Sequence, residues 1–125
     1  DVVALCLPGT QETQMIMTAE RLGKMKQGSY LLNIGRGTAL DQEALCRLLK
    51  EGRLAGAALD VTAPEPLPPE NPLWELDNII ITPHISGNDS LDYTTDTILN
   101  QFIENLALYQ KGKPMNHVID RKIGY

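Results

Sequence analysis

The sequence predicts an α/β fold built on a parallel sheet. Two observations carry that expectation. Short, nearly continuous apolar runs recur along the first hundred residues, and each suits a strand buried on both faces. Stretches with helical spacing separate them, and such alternation makes parallel βαβ units with right-handed crossovers.

The elements follow in order. "DVVALCLP" is an apolar run ended by a proline, and "GTQET" is a polar loop. Thr18 is placed to cap a short helix, "AERLGKMK", that stops near Gly28. "SYLLNI" is the second strand, broken by "GRG". Asp41 caps "QEALCRLLKEG", in which Leu45, Leu48 and Leu49 share a face and Gly52 ends the helix. "LAGAALDV" is the third strand, with small residues that let a neighbouring backbone come close. "TAPEPLPPENPLWELD" is too rich in proline to be helix or central strand for most of its length. "NIIIT" is the fourth strand. A long helix runs from about Asp89 to about Lys111, with Leu91, Ile98, Phe102, Ile103 and Leu106 close to one face, and an irregular tail follows.

Composition narrows the function. The chain has 125 residues, enough for one small domain. A net charge of −5 argues against a nucleic-acid or anionic-membrane footprint. No stretch is long enough to span a membrane. Cys6 and Cys46 stand apart, with no CxxC and no nearby histidine. They read as two reduced core thiols rather than a disulfide or metal site, which suits a cytoplasmic protein with no metal.

Ligands of parallel α/β sheets bind at the carboxyl ends of the strands. Several polar residues fall there. Pro8, Gly9 and Thr10 follow the first strand, Gly35-Arg36-Gly37 the second, Asp60 the third, and His84 the fourth. Arg36, between two glycines, offers a planar fork to a carboxylate, or is an exposed arginine in a tight turn. Imidazole exchanges protons near neutrality, so His84 suits acid–base work, or is a structural or surface histidine. Glu65, stiffened by Pro64 and Pro66, is the candidate carboxylate for His84, or a solvated loop acid. Asp60 should face a polar partner, or hydrogen-bond backbone. One Arg, one Glu and one His on a common edge suit a reaction at the carbonyl of an anionic 2-oxo acid. No nucleophile is paired with a base and no ligand cluster suggests a metal, so hydride from a bound cofactor completes the chemistry.

Four blocks in order carry a family resemblance: "LPGTQET", "LLNIGRGTALDQEAL", "AGAALDVTAPEPLPPENPLW" and "NIIITPHISG". Together they resemble the D-isomer-specific 2-hydroxyacid dehydrogenases over essentially the whole chain. "ITPHISGND" and the closing "IGY" look most like the glyoxylate/hydroxypyruvate reductase type. The resemblance implies a Rossmann-type sheet and NAD or NADP as cofactor. It implies that Arg36 binds substrate, that His84 is the acid/base and that Glu65 is its partner. It places Asp60 at the nicotinamide carboxamide, and Leu7, Pro8 and Thr13 along the adenosine side. It has Ile34 and Gly35 present backbone to the nicotinamide ribose, with Ser86 and Gly87 beside the nicotinamide. Formate dehydrogenases resemble the same pattern but carry glutamine where this chain has Glu65.

One departure matters. The family's GxGxxG fingerprint is absent. The chain therefore reads as the C-terminal part of a longer protein. Residues 1–111 would be the second half of the NAD(P)-binding domain, and 112–125 a tail returning toward the substrate-binding domain. The fragment alone is expected to be inactive, and to expose an apolar edge and face. The full-length protein is expected to be a homodimer acting on a small 2-oxo acid. Two alternatives share the pattern: a nucleotide-sensing corepressor of the C-terminal-binding-protein type, and a short 3-phosphoglycerate dehydrogenase.

Overall fold

In a computed structural model, which describes residues 1–87 and 91–122, four strands form one parallel sheet in chain order. They are β1 (Val2–Leu5), β2 (Tyr30–Asn33), β3 (Gly56–Leu59) and β4 (Ile79–Ile81). The register places Leu5 beside Asn33, Asn33 beside Leu59, and Leu59 beside Ile81. These are the last residues of their strands, so all four strands stop on one line. The four loops that follow emerge side by side.

Two helices connect the first three strands. The first, α1, spans Ala19–Gly23 and is capped by Thr18, whose hydroxyl accepts from the Arg21 N–H. It stops well short of Gly28. Arg53 donates to the Gly23 and Met25 carbonyls, closing the helix end, while Met25 turns into the core. The second, α2, spans Gln42–Lys50. Asp41 caps it by accepting the Ala44 N–H at 2.9 Å, and its buried face carries Ala44, Leu45, Cys46 and Leu49. Leu22 of α1 joins Leu45 and Leu49 in the core against Leu5, Leu31 and Leu59 of the sheet.

Neither α1 nor α2 covers the other sheet face. Val2, Tyr30 and Ile80 are exposed there. β1 is thus not buried on both faces, contrary to the expectation from its sequence. The reason is topological: strands laid down in one direction, with crossovers of one hand, put their helices on one face. Cys6 also departs from the expected core thiol. It is the first residue beyond β1 and is exposed, whereas Cys46 is buried as expected.

Residues 1–86 make one compact unit and 87–125 a second. In the second, α3 spans Asp92–Gln110 and none of its residues is buried. Asn105 on this helix bonds both backbone groups of Asn116, at 2.7 and 3.0 Å, and so ties down the chain that follows. The expected helix start at Asp89 and the closing "IGY" lie outside the described residues. No helix among the described residues is long and apolar enough to cross a membrane.

Candidate active site

The loops at the strand ends lie backbone against backbone. A Cβ on Gly35 would sit 2.6 Å from the Leu7 carbonyl oxygen, and one on Gly37 would sit 2.1 Å from the Thr62 carbonyl. Glycine at both positions therefore locks the first three loops together. This is a different reason for "GRG" than ligand access. Asn33, fully buried at the end of β2, braces the same turn. Its amide donates to the Arg36 carbonyl at 3.0 Å and accepts from the Gly35 N–H at 3.2 Å.

Arg36 is exposed on this turn, with its aliphatic stem beside Gly9. One guanidinium nitrogen donates to the Gly35 carbonyl at 2.7 Å. Thr13 ties the first loop by donating to the Pro8 carbonyl at 2.6 Å and accepting the Thr10 N–H at 2.9 Å. Leu7 packs its backbone on Gly35. Ile34 extends the sheet through its N–H to the Leu5 carbonyl, and its side chain is exposed.

Asp60 staples the loop after β4. Its Oδ1 accepts from the Thr82 hydroxyl at 2.5 Å and the Ile85 N–H at 2.9 Å, and its Oδ2 accepts the Ser86 N–H at 2.9 Å. Burial alone would raise the Asp60 pKa. The hydrogen bonds from Ser86, Thr82 and Ile85 outweigh it and hold the carboxyl well below the usual carboxylate range. The staple spans the residues on both sides of His84. Gly87 follows Ser86 and begins the second unit.

His84 sits in the left-handed region, at φ +55. Its Nδ1 lies 2.6 Å from Glu65 Oε1. Both are partly exposed, at 43% and 40% of the side chain. A carboxylate only accepts, so Nδ1 carries the hydrogen and Nε2 is left for proton exchange. A cavity of about 390 Å³ opens beside the pair, lined by Asp60, Thr62, Leu67, Trp74 and Ile81 among others. Apolar walls with a few convergent polar groups suit a small organic ligand. The structure thus joins His84 to Glu65 and Asp60 to the His84 loop. Arg36 stands on the same line of strand ends but does not line this cavity.

Comparison with known proteins decides the family. Residues 1–86 match the family model described as "D-isomer specific 2-hydroxyacid dehydrogenase, NAD binding domain". The chain belongs to this family. It is 51% identical over 87 residues to a glyoxylate reductase of Thermofilum pendens, covering 70% of this chain and 26% of that protein. A D-isomer specific 2-hydroxyacid dehydrogenase from Xanthobacter autotrophicus Py2, solved with NADPH and MES, superimposes with a TM-score of 0.86 at 37% identity, over 99% of this chain and 50% of that one. The NADPH-dependent glyoxylate/hydroxypyruvate reductase of Sinorhizobium meliloti, solved with NADP and sulfate, gives 0.86 at 29% identity, over 100% and 40%. The chain spans 26% to 40% of the length of curated relatives it matches.

Within this 2-hydroxyacid dehydrogenase chain, Asp60 makes a pH prediction. Its pKa is depressed in the fold, so the stability it contributes is present above the unfolded carboxyl value, roughly 4, and is lost as pH falls below it. Asp60→Asn in the full-length protein should cost about 2–3 kcal/mol at pH 7, because one amide cannot accept from all these donors. In urea melts the gap between parent and variant should narrow as pH falls from about 5 to 3, with the rest lost only at still lower pH. A constant gap across that range would show that the carboxylate charge is not what holds the loop.

Proposed function

We propose that this chain carries the catalytic edge of an NAD(P)H-dependent reductase that converts a small 2-oxo acid to a D-2-hydroxy acid. Glyoxylate and hydroxypyruvate are the favoured substrates. The contact between His84 and Glu65 at the strand ends, beside the cavity, carries this reading. The glyoxylate reductases it resembles support the substrate class.

The residues divide the work. Arg36 binds the substrate carboxylate and polarises its carbonyl. The nicotinamide, when bound, supplies hydride to the carbonyl carbon. His84 delivers a proton from Nε2 to the carbonyl oxygen and is left neutral. Glu65 holds the opposite ring nitrogen, which fixes the tautomer and orients the imidazole. The cavity's apolar walls and the Asp60 and Ser86 loop fit the nicotinamide end of the cofactor. Leu7, Pro8 and Thr13 would flank its adenosine side. The chain has no GxGxxG to cradle the pyrophosphate. We therefore read residues 1–111 as half of a cofactor domain and 112–125 as a return toward a substrate domain. The complete protein is read as a cytoplasmic homodimer.

The test is loss of absorbance at the NAD(P)H band. Full-length protein would be given each cofactor with glyoxylate, hydroxypyruvate, pyruvate and phosphohydroxypyruvate in turn. Turnover of one of them by the full-length protein, and none by the isolated chain, is the expected result. Tight cofactor binding with no turnover on any of the four would exclude these substrates and move the nucleotide-sensor reading ahead of the reductase.

A further inference from the structure

Gln42 makes two hydrogen bonds to a single residue of the loop that carries Glu65. Its Nε2 donates to the Ala63 carbonyl at 2.7 Å, and its Oε1 accepts the Ala63 N–H at 3.0 Å. A primary amide carries one donor and one acceptor side by side, and so can meet both the N–H and the C=O of a single residue. Buried Val61 and Leu67 anchor the loop on either side and Gly37 packs against Thr62, but between them few backbone donors remain. Pro64 and Pro66 have no N–H, and the Thr62 hydroxyl reaches the Pro64 carbonyl at 2.9 Å.

Burial does not hold the acid itself. Glu65 and His84 are both about two-fifths exposed. Their 2.6 Å contact therefore depends on where the loop backbone is fixed, and Ala63 lies two residues before Glu65, with Pro64 between them. Gln42 is in turn fixed by its own position. It is the first residue of α2, directly after the Asp41 cap. The helix cap, the Gln42 amide, the Ala63 peptide and the Glu65 carboxylate form a continuous connection from the core to the imidazole.

We propose that Gln42 is a positioning residue, whose amide sets the Glu65 loop so that the carboxylate fixes the ring orientation of His84. The inference deepens the reductase reading and rests on it for its catalytic consequence. The geometric consequence stands without it. A short bond from Nδ1 to a carboxylate deshields that proton and slows its exchange with water, so it should give a downfield N–H signal. Turnover falls steeply when a catalytic group is misplaced, so kcat should drop about 10-fold with little change in KM.

The experiment uses full-length protein labelled with ¹⁵N-histidine, with the His84 signal assigned by its absence in His84→Asn. Gln42→Leu removes both bonds to Ala63. The expected result is loss or broadening of the His84 Nδ1–H signal, an unchanged His117 signal and an unaltered circular dichroism spectrum. Gln42→Glu keeps the bond from the Ala63 N–H but turns an oxygen toward the Ala63 carbonyl. It should weaken the signal less, and it answers the question if the leucine variant does not fold. A sharp, unshifted His84 signal in either folded variant overturns the proposal. Wild-type protein that reduces no 2-oxo acid but loses the signal in Gln42→Leu would overturn the reductase reading and leave the positioning role standing.

Discussion

His84→Asn should lower turnover of the 2-oxo acid by about 10²- to 10⁴-fold, the range for removing a positioned general acid. Asparagine is the informative replacement. His84 holds φ +55, and asparagine is among the residues that accept that region readily. The variant should therefore keep the Asp60 staple and the loop. The amide still forms hydrogen bonds, but it has no proton to exchange near neutrality. Stopped-flow or steady-state assays should show the loss in kcat, with a melting temperature close to the parent's. A variant that turns over within a few-fold of the parent would place the proton donor elsewhere on the edge.

Gly37→Ala should be the most damaging small substitution in the site. The new Cβ would lie 2.1 Å from both the carbon and the oxygen of the Thr62 carbonyl. Both are backbone atoms, so no side-chain rotation relieves the overlap. The cost should be about 3 kcal/mol, at the upper end for overpacking. The displaced segment also leads into Ala63 and Glu65, so activity should fall with stability. Gly23→Ala is the matched control. Its Cβ would meet nothing within 4 Å, and Gly23 lies in α1. It should be neutral or mildly stabilising, since alanine is favoured in helices. Thermal melts of the two variants beside the parent measure both effects. Equal melting temperatures would mean that the loops part easily and are not locked by glycine.

Much of this architecture is legible in residue order. Each strand declares its end where an apolar run meets a different chemistry: "LCLPG", "LLNIGRG", "AALDV" and "IITPH". Asp41 announces α2 because an acidic cap precedes an apolar helical stripe. Which face of the sheet the helices cover is not legible in this way. Val2, Tyr30 and Ile80 have the composition of buried strands, yet both helices of their unit pack on the opposite side. Apolar character records a demand for burial and says nothing of what meets it. His84 and Glu65 stand out by their strand-end and proline-flanked settings. Asn33 and Gln42 do not, because a lone amide in sequence resembles ordinary polar filler. A fully apolar strand ending in asparagine was the available signal for Asn33. Gln42 carried none, since its partner at Ala63 is set by the tertiary fold. Asp60 showed that it needed a partner, but its donors arrive from the loop after the next strand.

The chain-order sheet has a kinetic meaning. Among the described residues every ladder of the sheet joins a strand to the one that follows it in the chain, so none waits for a distant segment. Loop closure is then paid in modest instalments, which favours quick assembly for a parallel sheet. A chain emerging from the ribosome would add its strands in the order it is made. In that order β4, which leads into His84, would dock last. Until then Glu65 has no imidazole and Asp60 has no loop to staple. A partly built sheet would therefore lack the contact between His84 and Glu65, and this edge would be completed only by its last strand.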